Sequence, residues 1–427
     1  WDYELTEGDS YNDPSLPHDA YQWQYTVKPA EHDLEQYNVR YEVLEELYMP
    51  NEMFDEESST STRSANEETA YLKELLDESV RQNAPDQMEP TETLRKWTPA
   101  ATIKAYDDIL DAYIPLDGVK VRITTFAFVK KTAITNIYGQ VSFDKRNRDV
   151  SYSIEWERDN WDIRDGGTQA YYHGPDDTKS AWNLNIGKGT PKSLHISAIH
   201  RALLKYYYGN IDGLIRPSKA LKVSYQEGAD PDGDALGATY YERVEYLFNI
   251  RPEIVIYGKF LNYYKELEEC PVSNILSTSF HEISHASHAI LVGADKYKAT
   301  FIGIRESWAS AVQWYLPNIL YRELTNNPAL LGEIDHENNK QLWPIFENLH
   351  YSPLFIDLYD DENQYDGSTT FPNDEVSGYP LGFFNMIISN LTSLDKVSEY
   401  LKNYKINGVT DAQIDNLLKI YQEEWKN

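Results

Sequence analysis

The chain has 427 residues and an ordinary hydrophobic content of 41%, and this length predicts two or three domains rather than one core. Its formal net charge of −30 argues strongly against nucleic acid as a partner, because phosphate binding needs a basic surface. The single cysteine, Cys270, cannot form an internal disulfide and is expected to be buried, and no apolar run reaches the roughly 18 residues of a membrane span.

The N-terminal region, residues 1–112, is predicted to be acidic and helical. Apolar side chains recur at helical spacing between residues 34 and 48, where Met49-Pro50 ends the pattern. Residues 55–69 are rich in Ser, Thr, Asp and Glu, which is typical of a solvated linker. Two further helices are expected near residues 70–82 and 100–112.

The periodicity changes after this region. Val119, Val121 and Ile123 alternate with polar residues, and the same alternation returns between Val150 and Trp156. Period-two alternation with intervening turns predicts half-buried strands. We therefore expect a small β-sandwich over residues 113–170, with a β-rich lobe of the following domain as the alternative.

The remaining residues, 171–427, are expected to form an α+β domain, mostly helical, with a small antiparallel sheet. A helix is predicted over 195–208, and its His195 and His200 lie five positions apart, which places them on different faces and indicates structural roles. Strands are predicted at 221–225 and 254–257. A strand just before the next helix could pair with an extended peptide in a cleft.

The segment His281-Glu282-Ile283-Ser284-His285 has the pattern HExxH. Residues four apart on a helix lie on one face, about 6 Å along the axis, so both imidazoles can reach one metal ion. Residues 274–291 contain no Pro or Gly; Ser277 or Ser279 is a candidate cap and Gly293 a stop signal. This spacing predicts a Zn²⁺ site with Glu282 as the general base.

A catalytic zinc site needs a third protein ligand. Glu306, on a second helical segment, is the preferred candidate. His288 shares the face of the motif helix but lies nearly 10 Å along the axis from His281, so a hydrogen-bonding role near the site is preferred for it. His336 and His350 remain as later alternatives.

Tyr379 and an acidic stretch complete the candidate residues. Tyr379 follows Gly378 in a polar loop and is the candidate donor to an oxyanion, with a structural tyrosine as the alternative. The acidic stretch 357–366 could bind calcium, although its spacing does not match an EF-hand loop; a solvated or substrate-facing loop is the preferred interpretation.

The motif and the downstream Glu306-Ser307-Trp308-Ala309 resemble the gluzincin-type zinc metallopeptidases. That pattern usually carries an Asp four residues after the third ligand, to orient a ligating histidine. Here Ser310 occupies the position, so another acidic group is expected to do this work.

A closer resemblance is to a family of uncharacterised bacterial secreted proteins or lipoproteins. It covers roughly residues 110–390 and is carried by the motif helix together with four segments: 114–122, 152–158, 306–314 and 351–361. The strand-rich part is similar to the carboxypeptidase regulatory-like β-sandwich. The resemblance implies an exported bacterial zinc peptidase acting through His281, Glu282, His285 and Glu306.

The sequence thus predicts a zinc metallopeptidase that acts on peptide or protein substrates, of undefined oligomeric state. Because the sequence begins with Trp1 rather than Met, we expect an export leader to have been removed. The expected location is outside the cell or at its surface, where a lipid anchor could attach the protein. Two alternatives stay open. One is a catalytically inactive surface protein that binds glycan or protein through its 34 Tyr and 10 Trp residues. The other is a self-processing or inhibited peptidase whose acidic N-terminal region covers the cleft.

Overall fold

The computed structural model describes residues 8–11, 23–26, 96–125, 129–229, 238–240, 254–261, 264–327, 353–361, 363, 365, 367, 373–406 and 408–424. The chain divides into two compact units, Trp1–Glu46 and Leu47–Asn427. The described part of the first unit is an antiparallel hairpin of β1 (Gly8–Tyr11) and β2 (Trp23–Thr26). The predicted helices at 34–48 and 70–82 and the predicted linker at 55–69 lie outside the described residues.

The first sheet of the second unit is built on β3 (Ala100–Asp107). This strand pairs with β4 (Ala112–Pro115) and β7 (Gln140–Ser142) in antiparallel fashion and with β13 (Trp182–Ile186) in parallel. The predicted helix at 100–112 is therefore wrong. Ala101, Ile103 and Ala105 are buried in strict alternation with half-buried neighbours, and this period-two burial outweighs the helix propensity of alanine.

A second sheet is antiparallel throughout. Its order is β12 (Tyr171–His173), β8 (Ser151–Glu155), β5 (Lys120–Thr125) and β6 (Val129–Ile134). The strands predicted around Val119–Ile123 and Val150–Trp156 are thus confirmed. Tyr152 and Tyr172 of this sheet pack against Trp182 of the first sheet, with ring centroids 5.7 and 6.0 Å apart.

The third sheet has a parallel centre. Its order is β11 (Thr168–Gln169), β10 (Trp161–Asp165), β14 (Leu221–Gln226), β16 (Ile254–Tyr257) and β15 (Ala238–Tyr240), with β9 (Glu157–Arg158) pairing with β10. Strands β10, β14 and β16 run parallel, so the expected antiparallel sheet is wrong at its centre. The apolar run Ile254-Val255-Ile256 fits the burial of a parallel strand on both faces.

Strand pairing crosses both predicted domain boundaries. Strand β4 spans the boundary at 112/113, and β10, on one side of 170/171, pairs with β14 on the other side. Buried apolar residues from Ala101 to Tyr421 also form one continuous cluster. The division into domains 1–112, 113–170 and 171–427 therefore remains a prediction, and the strand pairing does not divide the chain at either boundary.

Two long helices pack against the third sheet, and a third long helix packs against one of them. Helix α1 (Pro191–Tyr208) packs against β10 and α2 (Val272–Val292), and α2 packs against α4 (Ile302–Thr325). The other described elements are the hairpin β17 (Lys259–Leu261) and β18 (Leu267–Glu269), and helices α3 (Ala294–Ala299), α5 (Leu354–Asp357), α6 (Leu381–Asn390), α7 (Leu394–Asn403) and α8 (Asp411–Glu424).

A buried carboxylate joins the first sheet to two of these helices. Asp107 at the end of β3 is fully buried; it forms an ion pair with Arg201 of α1 at 2.9 Å and accepts a hydrogen bond from the Tyr321 hydroxyl of α4 at 3.0 Å. A buried charge is retained only when such partners satisfy it. This network therefore helps to fix α4 relative to α1.

His195, His200 and Cys270 are structural, as expected. The His195 ring lies between the Tyr225 hydroxyl and the Cys270 carbonyl oxygen, at 3.1 and 2.9 Å. His200 donates to the Asp117 carbonyl oxygen, and burial lowers its pKa to about 4. Cys270 is buried. No helix in the described part of the chain is long and apolar enough to cross a membrane.

Candidate metal centre

The motif helix, α2, begins earlier than the sequence predicts. It starts after Pro271 and ends at Gly293, whose φ of 82° is the glycine stop that was expected. Ser277 and Ser279 do not cap it; they lie inside the helix, and their hydroxyls donate to carbonyl oxygens of the preceding turn. The first-turn amide of Ser273 instead donates to the carboxylate of Asp108 at 3.0 Å. A cap supplied from a distant loop leaves no local sequence signal.

Helix α4 places the predicted third ligand opposite the motif. Glu306 lies in the first turns of α4, and Trp308 two positions later is buried against Phe355 of α5 and Phe384 of α6, with ring centroids 6.2 and 6.4 Å away. Because α2 and α4 pack directly against each other, the Glu306 carboxylate reaches the histidines of α2.

The structure brings His281, His285 and Glu306 together. Their nearest polar atoms form a small triangle: the two Nε2 atoms are 3.0 Å apart, and each lies 3.2 Å from Oε2 of Glu306. Both imidazoles are almost fully buried, whereas the Glu306 side chain keeps 17% of its surface exposed. The cluster is therefore held in the core but is open to solvent on the carboxylate side.

Two neutral groups, rather than the acidic group that was expected, hold the other ring nitrogens. Nδ1 of His281 lies 2.8 Å from Oε1 of Gln313 on α4, and Nδ1 of His285 lies 3.0 Å from the hydroxyl of Tyr297 on α3. Since an amide oxygen can only accept, the His281 Nδ1 carries the proton and its Nε2 lone pair faces Glu306. This is the tautomer that a metal ligand needs.

The charges within the cluster favour each other. Burial alone would raise the pKa of Glu306, but the neighbouring His285 and His281 outweigh it and the pKa is lowered. Burial alone would lower the pKa of His285, but the Glu306 carboxylate outweighs it and the pKa is raised. The cluster thus favours an ionised Glu306 carboxylate with positive charge next to it. A bound cation can supply that positive charge.

The donor set and its spacing fit Zn²⁺. Two imidazole nitrogens and one carboxylate oxygen are the donors of a known catalytic zinc type. With bonds of about 2.0–2.1 Å, donors on a tetrahedral ion lie about 3.3–3.4 Å apart, close to the observed 3.0 and 3.2 Å. Among the residues that the structure describes, these three form the one acidic, histidine or cysteine group compact enough to hold an ion.

Glu282 lies beside this cluster on α2. Its side chain is buried, and its negative charge is near enough to contribute to the raised pKa of His285. The sequence therefore places a carboxylate next to the candidate ligands without making it one of the three. That position suits a group that exchanges protons at the site.

The alternative ligands are not part of the cluster. His288 donates from Nε2 to the Ile388 carbonyl oxygen at 2.9 Å, and burial lowers its pKa to about 3, so it is the hydrogen-bonded histidine that the sequence favoured. His336 and His350 lie outside the described residues. Ser310, at the position of the family's aspartate, is buried, and its hydroxyl has no hydrogen-bond partner among the described residues.

Tyr379 is a core residue. Its side chain is fully buried, its ring lies 4.7 Å from that of Phe383, and its amide donates to the Leu358 carbonyl oxygen. These contacts match the structural alternative for this tyrosine. None of them involves the metal cluster, so the role of oxyanion donor remains a prediction.

The acidic stretch contains a buried part. Asp357 is buried and accepts a hydrogen bond from the Tyr421 hydroxyl, while Asp374, later in the chain, accepts one from the Val376 amide. Burial, followed by the neighbouring Asp374, raises the pKa of Asp357. Glu362 and Asp366 lie outside the described residues, and the described ones provide no second metal-binding group. Calcium binding here therefore gains no support.

Comparison with known proteins gives only weak similarities. No protein-family model and no curated protein matches the sequence. Of solved structures, the shaft pilin SpaA of Lactobacillus rhamnosus GG matches 22% of this chain and 49% of its own at 14% identity and a TM-score of 0.14. A 9R-lipoxygenase of Cyanothece PCC8801 matches 74% of this chain and 47% of its own at 11% identity and a TM-score of 0.14. The chain spans about half the length of each, and at such TM-scores neither similarity bears on fold or function.

Proposed function

We propose that this chain is a zinc-dependent peptidase of the gluzincin type, with His281, His285 and Glu306 as metal ligands. The observation that carries the proposal is the convergence of two correctly oriented imidazoles and one carboxylate within 3.2 Å, next to the buried carboxylate of Glu282. When bound, Zn²⁺ would act as a Lewis acid and lower the pKa of a water molecule to near 7.

The roles of the protein groups follow from their positions. Glu282 accepts the proton of the attacking water and later delivers it to the leaving amine. Glu306 neutralises part of the metal charge, and its exposed edge is the side from which a peptide reaches the site. Gln313 and Tyr297 keep the imidazoles in the ligating orientation.

The surrounding architecture is compatible with this proposal. The mixed sheet with a parallel centre, against which α1 and α2 pack, is compatible with a zincin-like domain that includes strands β9, β10 and β11 from before residue 171. The two small sheets between Ala100 and Ile186 support a carboxypeptidase regulatory-like β-sandwich. Because residues 110–390 resemble exported bacterial proteins, we propose that the protein is secreted or attached to the cell surface.

The test is the substitution Glu282→Gln, which keeps the shape of the side chain and removes its basicity. We expect unchanged zinc content and a loss of hydrolysis by about 10²–10⁴-fold, the usual contribution of a positioned general base. The readout is release of labelled peptides from an unfolded casein substrate, with metal content measured on the same samples. Glu399→Gln, an exposed change on α7, is the matched control.

Two results would contradict the proposal. Hydrolysis by the Glu282→Gln variant at the wild-type rate would remove Glu282 from the reaction. Zinc-loaded wild-type protein with no turnover on unfolded protein would favour the inactive, surface-binding alternative.

A further inference from the structure

The two candidate ligand histidines are each held by an uncharged partner. Gln313 and Tyr297 are themselves buried, at 3% exposure each, and lie 2.8 and 3.0 Å from Nδ1 of His281 and His285. In the family that the motif resembles, an aspartate on the third-ligand helix usually has this task. Here its position is held by Ser310, which contacts neither ring through its hydroxyl.

One helix supplies both contacts of His281. Gln313 lies two turns after Glu306 on α4, and residues separated by two turns share a helix face. The Glu306 carboxylate therefore meets the Nε2 side of His281 while the Gln313 amide meets its Nδ1 side. A shift of α4 along its axis would disturb both contacts together.

Two side chains from neighbouring helices contact the Tyr297 ring. The His288 ring meets its ring edge-on at 5.0 Å and 82°, and the Arg305 guanidinium lies over its face 4.7 Å from the ring centre. His288 belongs to α2 and Arg305 precedes Glu306 on α4. The phenol oxygen is thus positioned by the same two helices that carry the candidate ligands.

Uncharged acceptors orient an imidazole without adding negative charge. A carboxylate in the same place would also raise the basicity of the ring and strengthen its bond to a metal. We propose that Gln313 and Tyr297 are the positioning residues of this site, a neutral pair that replaces the usual aspartate and limits the affinity for Zn²⁺. This inference rests on the proposed function, because it assumes that the three residues hold zinc.

The test is zinc affinity, measured by competition with a chromophoric chelator. Gln313→Leu and Tyr297→Phe each leave a buried Nδ1–H without an acceptor, and we expect each to weaken zinc binding by about 10–100-fold. Gln313→Glu keeps the hydrogen bond and adds negative charge, so zinc should bind more tightly than in wild type. Ser310→Ala removes a hydroxyl that has no hydrogen-bond partner in the described part of the chain and serves as the control, with unchanged affinity.

The outcomes separate this inference from the proposed function. If wild type binds zinc and Gln313→Leu and Tyr297→Phe bind it as tightly, the positioning roles are refuted while the metal site stands. If wild type itself does not bind zinc, the proposed function fails. Circular dichroism and thermal unfolding of the metal-free variants identify global misfolding. Equal or weaker zinc binding by Gln313→Glu would refute the claim that the neutral pair limits affinity, since that variant retains an acceptor and adds negative charge.

Discussion

The substitution Glu306→Gln removes the negative charge among the three candidate ligands while keeping their packing. The Oε2 atom of Glu306 lies 3.2 Å from both ligand nitrogens, so the change replaces a carboxylate donor with a weakly donating amide at the centre of the cluster. Changes in the groups that merely orient zinc ligands cost about 10–100-fold in affinity. Loss of a ligand charge should therefore cost at least about 100-fold.

The consequence for stability can be calculated from mass action. Free zinc at about 100 times the wild-type Kd stabilises the wild-type fold by about 2.7 kcal/mol. For a variant whose Kd is about 100-fold higher, the same zinc concentration contributes only about 0.4 kcal/mol. For domains of 150–250 residues each kcal/mol corresponds to about 2–4 °C in Tm, so wild type should gain several degrees and the variant about one.

Differential scanning calorimetry with and without buffered zinc measures this difference. The exposed substitution Glu399→Gln is the charge-matched control and should keep the full zinc-induced shift. An equal rise in Tm for wild type and Glu306→Gln would refute the assignment of Glu306 as a ligand. It would direct attention to residues outside the described part of the chain.

Two other predictions concern the buried residues Trp308 and Asp374. Trp308→Ala, which empties a buried position between Phe355 and Phe384, should lower the free energy of unfolding by about 3–5 kcal/mol in urea denaturation, and a loss below about 1 kcal/mol would contradict the packing. Burial, with a smaller contribution from Asp360, raises the pKa of Asp374 to about 8, so the folded state retains a proton that the unfolded state releases above about pH 4. The Asp374 carboxyl should therefore lower stability as pH rises from about 4 to about 8, by up to about 1.4 kcal/mol per pH unit. Asp374→Asn should remove this part of the slope, while the part due to the raised pKa of Asp357 remains; an unchanged slope would contradict the assignment.

Part of the candidate site could be predicted from local sequence. Four-residue spacing fixes the relative positions of His281 and His285 once the segment is helical, and the absence of Pro and Gly makes the helix predictable. Glu306 required one further assumption, that the next helix packs against the first. The structure brings the three together, and whether they hold zinc is the proposal that remains to be tested.

The groups that orient the histidines could not be predicted in this way. Gln313 and Tyr297 reach their partners across helix–helix contacts, and no spacing rule relates positions on different helices. The one usable signal was Ser310, since a missing aspartate implies that another side chain does its work. Gln313, on the same face of α4 one turn further along, was the residue to consider.

Errors in the fold have similar causes. The helix predicted over residues 100–112 is wrong because residues 100–107 are buried alternately in a sheet, and such burial depends on strands distant in sequence. The parallel centre of the third sheet likewise depends on the connection through α1 between β10 and β14. The start of α2 was missed because its first-turn amide is capped by Asp108, far away in sequence.

The most direct test of the central claim is anomalous diffraction at the zinc absorption edge from crystals of the protein grown with zinc. We expect one strong peak within about 2.0–2.2 Å of the Nε2 atoms of His281 and His285 and of a carboxylate oxygen of Glu306. The absence of a zinc peak between α2 and α4 in zinc-saturated crystals, with or without a zinc peak elsewhere, would contradict the proposed metal site.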